Sequence, residues 1–199
     1  FGTLILAPHL AQLTRKHPHL SIDLLALPRM LHLSRREADI VISLERPTRG
    51  SVIVSRLSDY SLYLYGQREY LARKPLVATR EDLRHHAFVS YVDDLLFTKE
   101  LQFLDALHQP ERFAFRSTSI TAQYEAVRAG AGLAVLPAFL ADRDPVLTRV
   151  LPQEGQFTRT FWMSMPSESK HLARMQVTWA FLRETVAAQQ DLLKPKAVR

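Results

Sequence analysis

Residues 116–137 read RSTSITAQYEAVRAGAGLAVLP, and this stretch decides the fold of the 199-residue chain. The hydroxyl residues 117–119 can cap a helix, because their side chains accept hydrogen bonds from free backbone N–H groups. The helix that follows carries these apolar residues near one face: Ile120, Tyr124, Val127 and Ala131. Glycine suits a left-handed helix end and a close backbone approach, so residues 130–132 end the helix. The apolar run 133–136, stopped by Pro137, then predicts a buried strand of an α/β domain.

The N-terminal part of the chain shows the same alternation of helix and strand. Leucines recur at helical spacing within residues 4–16, which predicts an amphipathic helix. Residues 20–27 predict a strand, residues 30–36 a short helix, and residues 39–43 a strand rich in β-branched residues. Strand, helix and strand in this order predict a βαβ unit, and such units build parallel sheets with both faces covered.

Further elements of both kinds follow along the chain. Extended segments are predicted at residues 52–54, 61–65, 87–92, 112–115, 146–151 and 160–165. Helices are predicted at residues 69–73, 80–84, 99–108 and from about residue 168 onward. The core face of that last helix is predicted to consist of Leu172, Met175, Trp179, Leu182 and Val186. The pattern therefore indicates the α/β class.

Composition and charge narrow the class of protein. With 47% hydrophobic and 23% charged residues, the chain has an ordinary globular composition. No apolar run approaches the roughly 20 residues of a transmembrane helix, so we expect no contact with a membrane. The absence of cysteine excludes disulfides and thiol chemistry and fits a reducing compartment. The net charge of +6 is scattered in pairs, so a solvated surface explains it better than a nucleic-acid site.

Two histidine pairs and one acidic pair are candidates for metal or acid–base chemistry. Residues 17–19 read His-Pro-His and residues 85–86 are both histidine, but neither pair has a third ligand nearby, as zinc requires. Asp93 and Asp94 are neighbours after a strand, and a turn or a helix cap explains them better than a catalytic pair. Nucleophile elbows and phosphate-binding loops are absent from the sequence. We therefore expect no metal, no cofactor and no catalytic residue.

The hydroxyl residues 117–119 are the best candidate for a binding site. A helix N-terminus offers free N–H groups and a partial positive charge, and both suit a carboxylate or another anion. Ligands of open α/β sheets lie beyond the carboxyl ends of the strands, where residues 117–119, Pro137 and Phe139 are all expected. On these residues alone, simple helix capping is the more economical interpretation.

The ordered set of motifs resembles the effector-binding domain of LysR-type transcriptional regulators. Its most specific part is Ser-Thr-Ser, an amphipathic helix and Ala-Gly-Ala-Gly-Leu-Ala-Val-Leu-Pro within residues 117–137. Weaker matches are the first helix with His-Pro at 17–18, Arg-Glu-Ala-Asp-Ile-Val-Ile at 36–42, Glu-Tyr-Leu-Ala at 69–72, Glu-Asp-Leu at 81–83 and Phe-Trp at 161–162. Together the motifs extend over essentially the whole chain.

The resemblance implies a two-lobed fold like that of type 2 periplasmic binding proteins. Each lobe is expected to hold a mixed, mostly parallel sheet flanked by helices. Lobe I is expected to comprise residues 1–90 and 163–199, and lobe II residues 91–162. The chain is expected to cross between the lobes near residues 90–92 and 161–163.

The resemblance also implies partners. It predicts a cytoplasmic homodimer or homotetramer in which the helix at residues 4–16 of one chain lies against lobe II of its partner, near the helix at residues 119–129. It predicts a small-molecule effector, such as a carboxylate or an aromatic acid, in the cleft between the lobes. DNA is expected to be bound only by an N-terminal helix-turn-helix domain that this sequence lacks.

The effector site implied by the resemblance can be assigned residue by residue. Carried over by position, the ligand-binding residues are Phe1, Gly2, Thr3, Leu27, Pro28, Arg29, Ser43, Leu44, Glu45, Thr118, Ser119, Pro137 and Phe139. Family members begin with a strand just before the position of Phe1. We therefore expect the sequence to be a fragment in which the first strand of lobe I is missing.

Two other functions share the expected fold. A solute-binding protein of a transport system would carry an export signal and would normally be larger. An enzyme of the same two-lobed architecture would need a paired acid and base or a cofactor lysine in the cleft, and the sequence nominates none. The sequence therefore favours a regulator that senses its ligand without transforming it.

Overall fold

The computed structural model describes residues 1–27 and 37–195, and the chain divides into two compact units. Unit 1 comprises Phe1–Ser58 and Thr160–Asp191, and unit 2 comprises Asp59–Arg159 with the residues from Leu192 onward. The boundaries along the chain thus fall after Ser58 and after Arg159, and the two-lobe division expected from sequence stays a prediction. Two long strands, β2 (Val52–Gln67) and β7 (Gln156–Pro166), each run through one of these boundaries.

Unit 1 combines helices with a small antiparallel sheet. Its further elements are a π-helical turn (Gly2–Leu6), α1 (Ala7–Lys16), β1 (Val41–Ser43), a 3₁₀ turn (Ser167–His171) and α5 (Ala173–Ala188). Strand β1 pairs antiparallel with β7, so that Val41 lies opposite Ser164. Helix α1 packs against α5. The predicted apolar faces of these two helical segments are confirmed, because the following side chains are buried: Leu6, Leu10, Leu13, Met175, Leu182 and Val186.

Unit 2 holds most of the remaining elements. They are α2 (Arg68–Ala72), β3 (Phe88–Ser90), β4 (Phe113–Arg116), α3 (Ile120–Arg128), β5 (Ala134–Pro137), α4 (Ala138–Ala141) and β6 (Leu147–Arg149). Short 3₁₀ turns lie at Glu81–His85, Asp93–Leu95, Lys99–Leu101 and Leu104–Ala106. A last short helix, α6 (Gln190–Leu193), ends the described secondary structure. The α/β class predicted from sequence is confirmed.

The sheet of unit 2 is mixed. Strand β4 pairs parallel with β3, and Phe88 of β3 forms a parallel bridge with Leu133, just before β5. On its other side β5 pairs antiparallel with β2, so that Leu62 lies opposite Pro137. Strand β6 also pairs antiparallel with β2. Parallel pairing is thus confined to β4, β3 and β5 among the described ladders of this unit, and the carboxyl ends of these strands meet at one edge.

Helix α3 covers one face of that sheet. The buried cluster beneath it consists of Tyr63, Tyr65, Val89, Val127, Ala134, Leu136, Ala138, Ala141 and Leu147, with Ile120, Tyr124, Ala126 and Ala131 packed against it. The predicted apolar face of the helix is therefore confirmed. Gly130 has φ +80°, the left-handed conformation expected of a helix C-terminus. At Gly132 a Cβ atom would lie 2.3 Å from the carbonyl oxygen of Ala87, so only glycine lets these backbones meet.

Three sequence predictions are wrong. Residues 20–27 have no regular secondary structure, because they have no hydrogen-bonded partner strand among the described residues. The βαβ unit is therefore not formed there, and the helix predicted at residues 30–36 lies outside the described residues. The helix predicted at residues 99–108 consists of two 3₁₀ turns. The strands predicted at 52–54 and 61–65 form one strand, because no glycine or proline interrupts the polar residues between them.

One side chain assigned to the core face of the last helix is also placed differently. Leu172 is 40% exposed and precedes α5. The 3₁₀ turn Ser167–His171 delays the start of the helix, so Leu172 is its N-cap residue and its backbone is extended.

Candidate functional site

The N-terminus of α3 carries the hydroxyl residues that the sequence nominated. Ser119 is the N-cap, and its Oγ accepts a hydrogen bond from the backbone N–H of Ala122 at 3.4 Å. The first-turn N–H groups of Ile120 and Thr121 have no intrahelical partner, as at any helix start. Thr118 is half-buried, and its hydroxyl makes no hydrogen bond to any residue that the structure describes. Capping therefore explains Ser119 and leaves Thr118 unexplained.

A buried glutamine fixes the approach to this helix. Gln123 is 1% exposed, and its Nε2 donates to the carbonyl oxygen of Ser117 at 2.8 Å. The Oγ of Ser117 accepts from the backbone N–H of Ser119 at 3.1 Å, and the N–H of Ser117 donates to Ser90 of β3 at 3.0 Å. The loop at residues 117–119 is thus tied to both the helix and the neighbouring strand, so its hydroxyl groups are held in place.

Four predicted ligand-binding residues come together at one edge of unit 2. Thr118 and Ser119 follow β4, while Pro137 ends β5 and Phe139 lies in α4. Strand β3 separates β4 from β5, so about 10 Å separates these two strand ends. Such a spacing suits a small molecule lying across the edge.

The structure adds a serine that the sequence reasoning missed. Ser61 of β2 lies next to Leu62, which pairs with Pro137 at this edge. Because side chains alternate along a strand, Ser61 shares the α3-facing side with Tyr63 and Tyr65. Ser61 is 1% exposed, and its Oγ has no hydrogen-bond partner among the described residues. A serine inside the apolar run 60–65 was the available sequence signal.

Two tyrosines flank the same edge. Tyr60 of β2 is 3% exposed, and its ring lies 5.9 Å from the ring of Phe139. Burial raises the pKa of Tyr60, and the nearby Tyr91 raises it further. Burial also raises the pKa of Tyr91, which directly follows β3. Both phenols are therefore neutral at physiological pH and can donate hydrogen bonds.

Two arginines of unit 2 form ion pairs beside aromatic rings. Arg116, at the end of β4, forms an exposed ion pair with Asp93 at 3.6 Å and lies over the ring of Phe113. Arg159 is 22% exposed and forms an ion pair with Glu100 at 2.7 Å. Neither arginine was nominated from sequence, because each lies far along the chain from its partner.

The predicted ligand-binding residues of unit 1 gather beside β7. Phe1 stacks on Phe161 with ring centroids 4.1 Å apart. Ser43 pairs with Trp162, and its Oγ donates to the carbonyl oxygen of Glu45 at 2.7 Å. Gly2 lies next to residues 24–26, because a Cβ atom on it would be 3.7 Å from Leu24.

The other predicted ligand-binding residues of unit 1 are less constrained. Thr3 is exposed, Leu44 is half-buried after β1, and Leu27 is 46% exposed. Pro28 and Arg29 lie outside the described residues.

Within residues 1–27 and 37–195 no group of three or more histidine, aspartate or glutamate side chains is arranged to hold a metal ion. Asp93 and Asp94 lie in a 3₁₀ turn, as their sequence context predicted. None of the described helices is long and apolar enough to cross a membrane.

Comparison with known proteins places the chain in a family. The LysR substrate binding domain matches residues 1–187, so the chain belongs to this family. An HTH-type transcriptional regulator of Haemophilus influenzae is 24% identical over 164 residues, which cover 78% of this chain and 56% of the relative. The mau operon transcriptional activator of Paracoccus denitrificans is 31% identical over 136 residues, which cover 68% of this chain and 44% of the relative.

Solved structures agree at the level of the fold. The regulatory domain of CrgA, a LysR-type transcriptional regulator from Neisseria meningitidis, superposes with a TM-score of 0.78 at 21% identity over 93% of each chain. The effector domain of the transcriptional regulator AmpR of Pseudomonas aeruginosa gives a TM-score of 0.72 at 18% identity, over 95% of this chain and 92% of that one. The periplasmic-binding-protein-like fold expected from sequence is thereby confirmed.

The relatives also bear on the class of function. They are transcriptional regulators and not enzymes, as the sequence led us to expect. The chain spans about half the length of the two sequence relatives. It is therefore the regulatory domain of a LysR-type regulator.

Proposed function

We propose that this domain binds a small-molecule effector and that binding controls transcription by a longer regulator acting in the cytoplasm. The observation that carries the proposal is the family match over residues 1–187. The relatives' names, an HTH-type regulator and an operon activator, support a DNA-binding part outside this sequence. In such a system the effector acts by favouring one conformational state over another.

The proposed effector contact in unit 2 is the start of α3. Thr118 has an unused hydroxyl and Ser61 a buried unpaired one, while the helix start supplies free N–H groups. A buried polar group without a partner is costly, so a ligand that accepts or donates hydrogen bonds here gains affinity. An anion fits best, because the helix dipole places partial positive charge at this end.

In unit 1 we propose contributions from Phe1, Gly2, Thr3, Ser43, Leu44 and Glu45, together with Leu27, Pro28 and Arg29. Phe1 and Ser43 lie beside Phe161 and Trp162 of the same strand. Aromatic side chains offer apolar surface to the body of a ligand, while the hydroxyl groups orient it. The proposed effector is therefore a small carboxylate or aromatic acid.

The proposed assembly is a homodimer or homotetramer built through α1 and α3. Both helices expose polar faces: α1 ends in Arg15 and Lys16, and α3 exposes Glu125. Size-exclusion chromatography with light scattering tests this step. A monomer at all concentrations would contradict it, and substitution of Glu125 with lysine should lower the dimer fraction through like-charge contact.

The effector proposal is tested by a thermal-shift screen of small carboxylates and aromatic acids on the chain. A ligand at 100 times its Kd stabilises the folded state by about 2.7 kcal/mol, which such a screen detects readily. Calorimetry on Thr118→Val with the compound found should then show an affinity about tenfold lower, because a hydrogen bond to a charged group is lost. The matched control is Thr121→Val, on the exposed side of α3, and equal losses in both variants would refute the assignment.

A further inference from the structure

The ion pair between Arg159 and Glu100 differs from the other ion pairs of unit 2. The Nε of Arg159 lies 2.7 Å from Oε2 of Glu100 and 2.8 Å from its carbonyl oxygen, so one N–H is shared by two acceptors. The Nη1 donates to the carbonyl oxygen of Thr158 at 3.0 Å. The guanidinium has five N–H donors, and its Nη2 makes no hydrogen bond to any residue that the structure describes.

Arg149 shows what a fully used guanidinium looks like in this fold. Its Nε and Nη2 each donate to a different oxygen of Asp142, which is the bidentate geometry that carboxylates and guanidinium groups favour. Its plane also lies 3.7 Å from the ring centroid of Tyr63. Arg159 has the same kind of aromatic support but lacks the bidentate partner.

The surroundings of Arg159 are aromatic. Its guanidinium lies 5.1 Å from the ring centroid of Phe103, which in turn contacts the ring of Phe157 at 5.4 Å. Phe103 is 4% exposed. In such an apolar setting the charge is only partly solvated, so an additional carboxylate gains more than it would on an open surface.

Glu100 is the more exposed member of the ion pair and the one that is more easily released. Its side chain is 42% exposed, whereas that of Arg159 is 22% exposed. Water already solvates much of the Glu100 carboxylate, so releasing it costs little, as for most exposed ion pairs. The backbone contact to the Glu100 carbonyl oxygen does not need the side chain, so the guanidinium stays in place when the carboxylate leaves.

Arg159 is also linked to the edge that carries Phe139. Arg159 and Tyr91 both act electrostatically on Tyr60, and the ring of Tyr60 contacts Phe139. Arg159 and Glu100 thus both influence Tyr60, although neither was nominated from sequence.

We propose that Glu100 is an internal carboxylate that occupies Arg159 in the absence of effector, and that an anionic ligand with a planar apolar body displaces it and binds the guanidinium in bidentate fashion. This inference rests on the proposed function. It adds a specificity-determining arginine and a competing glutamate. The ligand must carry a carboxylate to gain the second hydrogen bond, and neutral analogues of the same shape leave Glu100 in place.

The test uses benzoate as the charged probe and benzamide as its neutral analogue, at constant ionic strength. The Nε–Hε signal of Arg159 is followed by NMR and assigned with Arg159→Lys. Benzoate should shift the signal saturably, whereas benzamide should not. The absence of a saturable benzoate shift, or equal shifts with both probes, would overturn the proposal.

Substitutions sharpen the test. Glu100→Gln should tighten benzoate binding about two- to fivefold, because the competing charge is removed while the shape is kept. Its control is Glu111→Gln, an exposed acid of the same unit, which should leave the affinity unchanged. Arg159→Met should weaken binding about tenfold or more, whereas Arg143→Met, at an exposed position, should not. If Glu100→Gln fails to tighten binding, the competition is refuted even though Arg159 binds the probe.

Two different results would refute the role of Arg159 and the proposed sensing function. If the metabolite screen finds an effector whose affinity is unchanged by Arg159→Met, the domain is a sensor and the role of Arg159 is refuted. If no compound stabilises the chain, the sensing function is refuted, and the benzoate titration still reports on Arg159 and Glu100.

Discussion

The polar side chains near the C-terminal end of helix α3 are paired with one another, and we call this the closed end. Near the N-terminal end, which we call the open end, some hydroxyl groups have no partner among the described residues. At the closed end Asp144 accepts from Tyr124 Oη at 2.7 Å, Arg128 Nε at 2.9 Å and the N–H of Val146 at 2.9 Å. At the open end Thr118 and Ser61 have hydroxyl groups that bond to no described residue.

The titration of the groups at the closed end reflects this pairing. The hydrogen bond from Tyr124 is the main cause that lowers the pKa of Asp144. Burial, together with the same bond, raises the pKa of Tyr124 to about 12. The carboxylate is thus held ionised and the phenol neutral over the physiological range. The difference between the ends shows that one helix can contribute stability at one terminus and binding capacity at the other.

Gly132→Ala should have the largest effect, because it tests the close backbone contact between the segment after α3 and Ala87, just before β3. The new Cβ would lie 2.3 Å from the Ala87 carbonyl oxygen, a backbone atom that cannot move alone. We expect a loss of about 3 kcal/mol in the free energy of unfolding, measured by chemical denaturation. Gly2→Ala, where the Cβ would meet only side chains at 3.7 Å or more, is the control and should cost nothing. A tolerated Gly132→Ala would show that the backbones of residues 132 and 87 do not need to approach so closely.

Asp144→Asn should have the next largest effect. The substitution removes the charge that Arg128 and Tyr124 bind, and the Asp144 side chain is only 7% exposed. We expect a loss of about 2 kcal/mol in the free energy of unfolding by urea denaturation. Glu125→Gln, the exposed partner of Arg128 at 3.7 Å, should cost less than about 0.5 kcal/mol. Equal losses in the free energy of unfolding for the two variants would mean that Asp144 stabilises this end of the helix no more than an exposed ion pair does.

Substitutions of Ser119 and Thr118, at the start of α3, should distinguish a role in stability from a role in binding. Ser119→Ala removes the N-cap bond to Ala122, and its length of 3.4 Å suggests a cost near 0.5 kcal/mol, the low end for such caps. Thr118→Val removes no bond within the described residues and should leave the unfolding free energy within about 0.5 kcal/mol. If Thr118→Val destabilised the fold more than Ser119→Ala, the open end would be a structural cap and not a binding site.

The smallest expected effect is a pH dependence near the closed end. His86 is 4% exposed; its Nε2 lies 3.1 Å from the Pro75 carbonyl oxygen, and its Nδ1 has no partner among the described residues. Since a carbonyl only accepts, Nε2 carries the proton, and burial lowers the pKa of His86 below its ordinary 6.5. The unfolded chain therefore takes up the second imidazole proton, at Nδ1, more readily than the folded chain. The contribution of His86 to stability is thus fully present above pH 6.5 and falls below it.

The measurement for this prediction is the melting temperature at pH 7.5 and 5.5. His86→Gln keeps a donor for Pro75 and cannot titrate, so it should lose less stability between these pH values than the parent chain. All other histidines are the same in both proteins, so any difference between the two melting curves comes from position 86. The same loss in both would exclude His86 as the source.

Local patterns predicted the elements of this fold wherever neighbours in sequence are also neighbours in space. The run at residues 116–137 gave the cap, the helix face and the strand correctly, because capping and amphipathicity act over a few residues. The strand predicted at residues 20–27 was wrong because a strand also needs a partner. The helix at 99–108 failed for a similar reason, since tertiary contacts decide between a helix and separate turns.

Some residues of the candidate site could likewise be found from local sequence patterns, and others could not. The position of Thr118, Ser119, Pro137 and Phe139 at one edge was predictable, because each ends a strand or lies within three residues of a strand end. Ser61 was missed because its role depends on β2 pairing with β5, which brings it to the same edge. Arg159 was missed because Glu100 lies far from it along the chain.

The sequence by itself determined the family, the class of fold and the cap, apolar face and glycine end of α3, because these depend on residue types at short spacings. Only the tertiary structure decided where the two units divide, which hydroxyl groups lack partners and which carboxylate each arginine meets. Those features depend on strand pairings and contacts between residues far apart in the chain, and no local pattern encodes the distance between them.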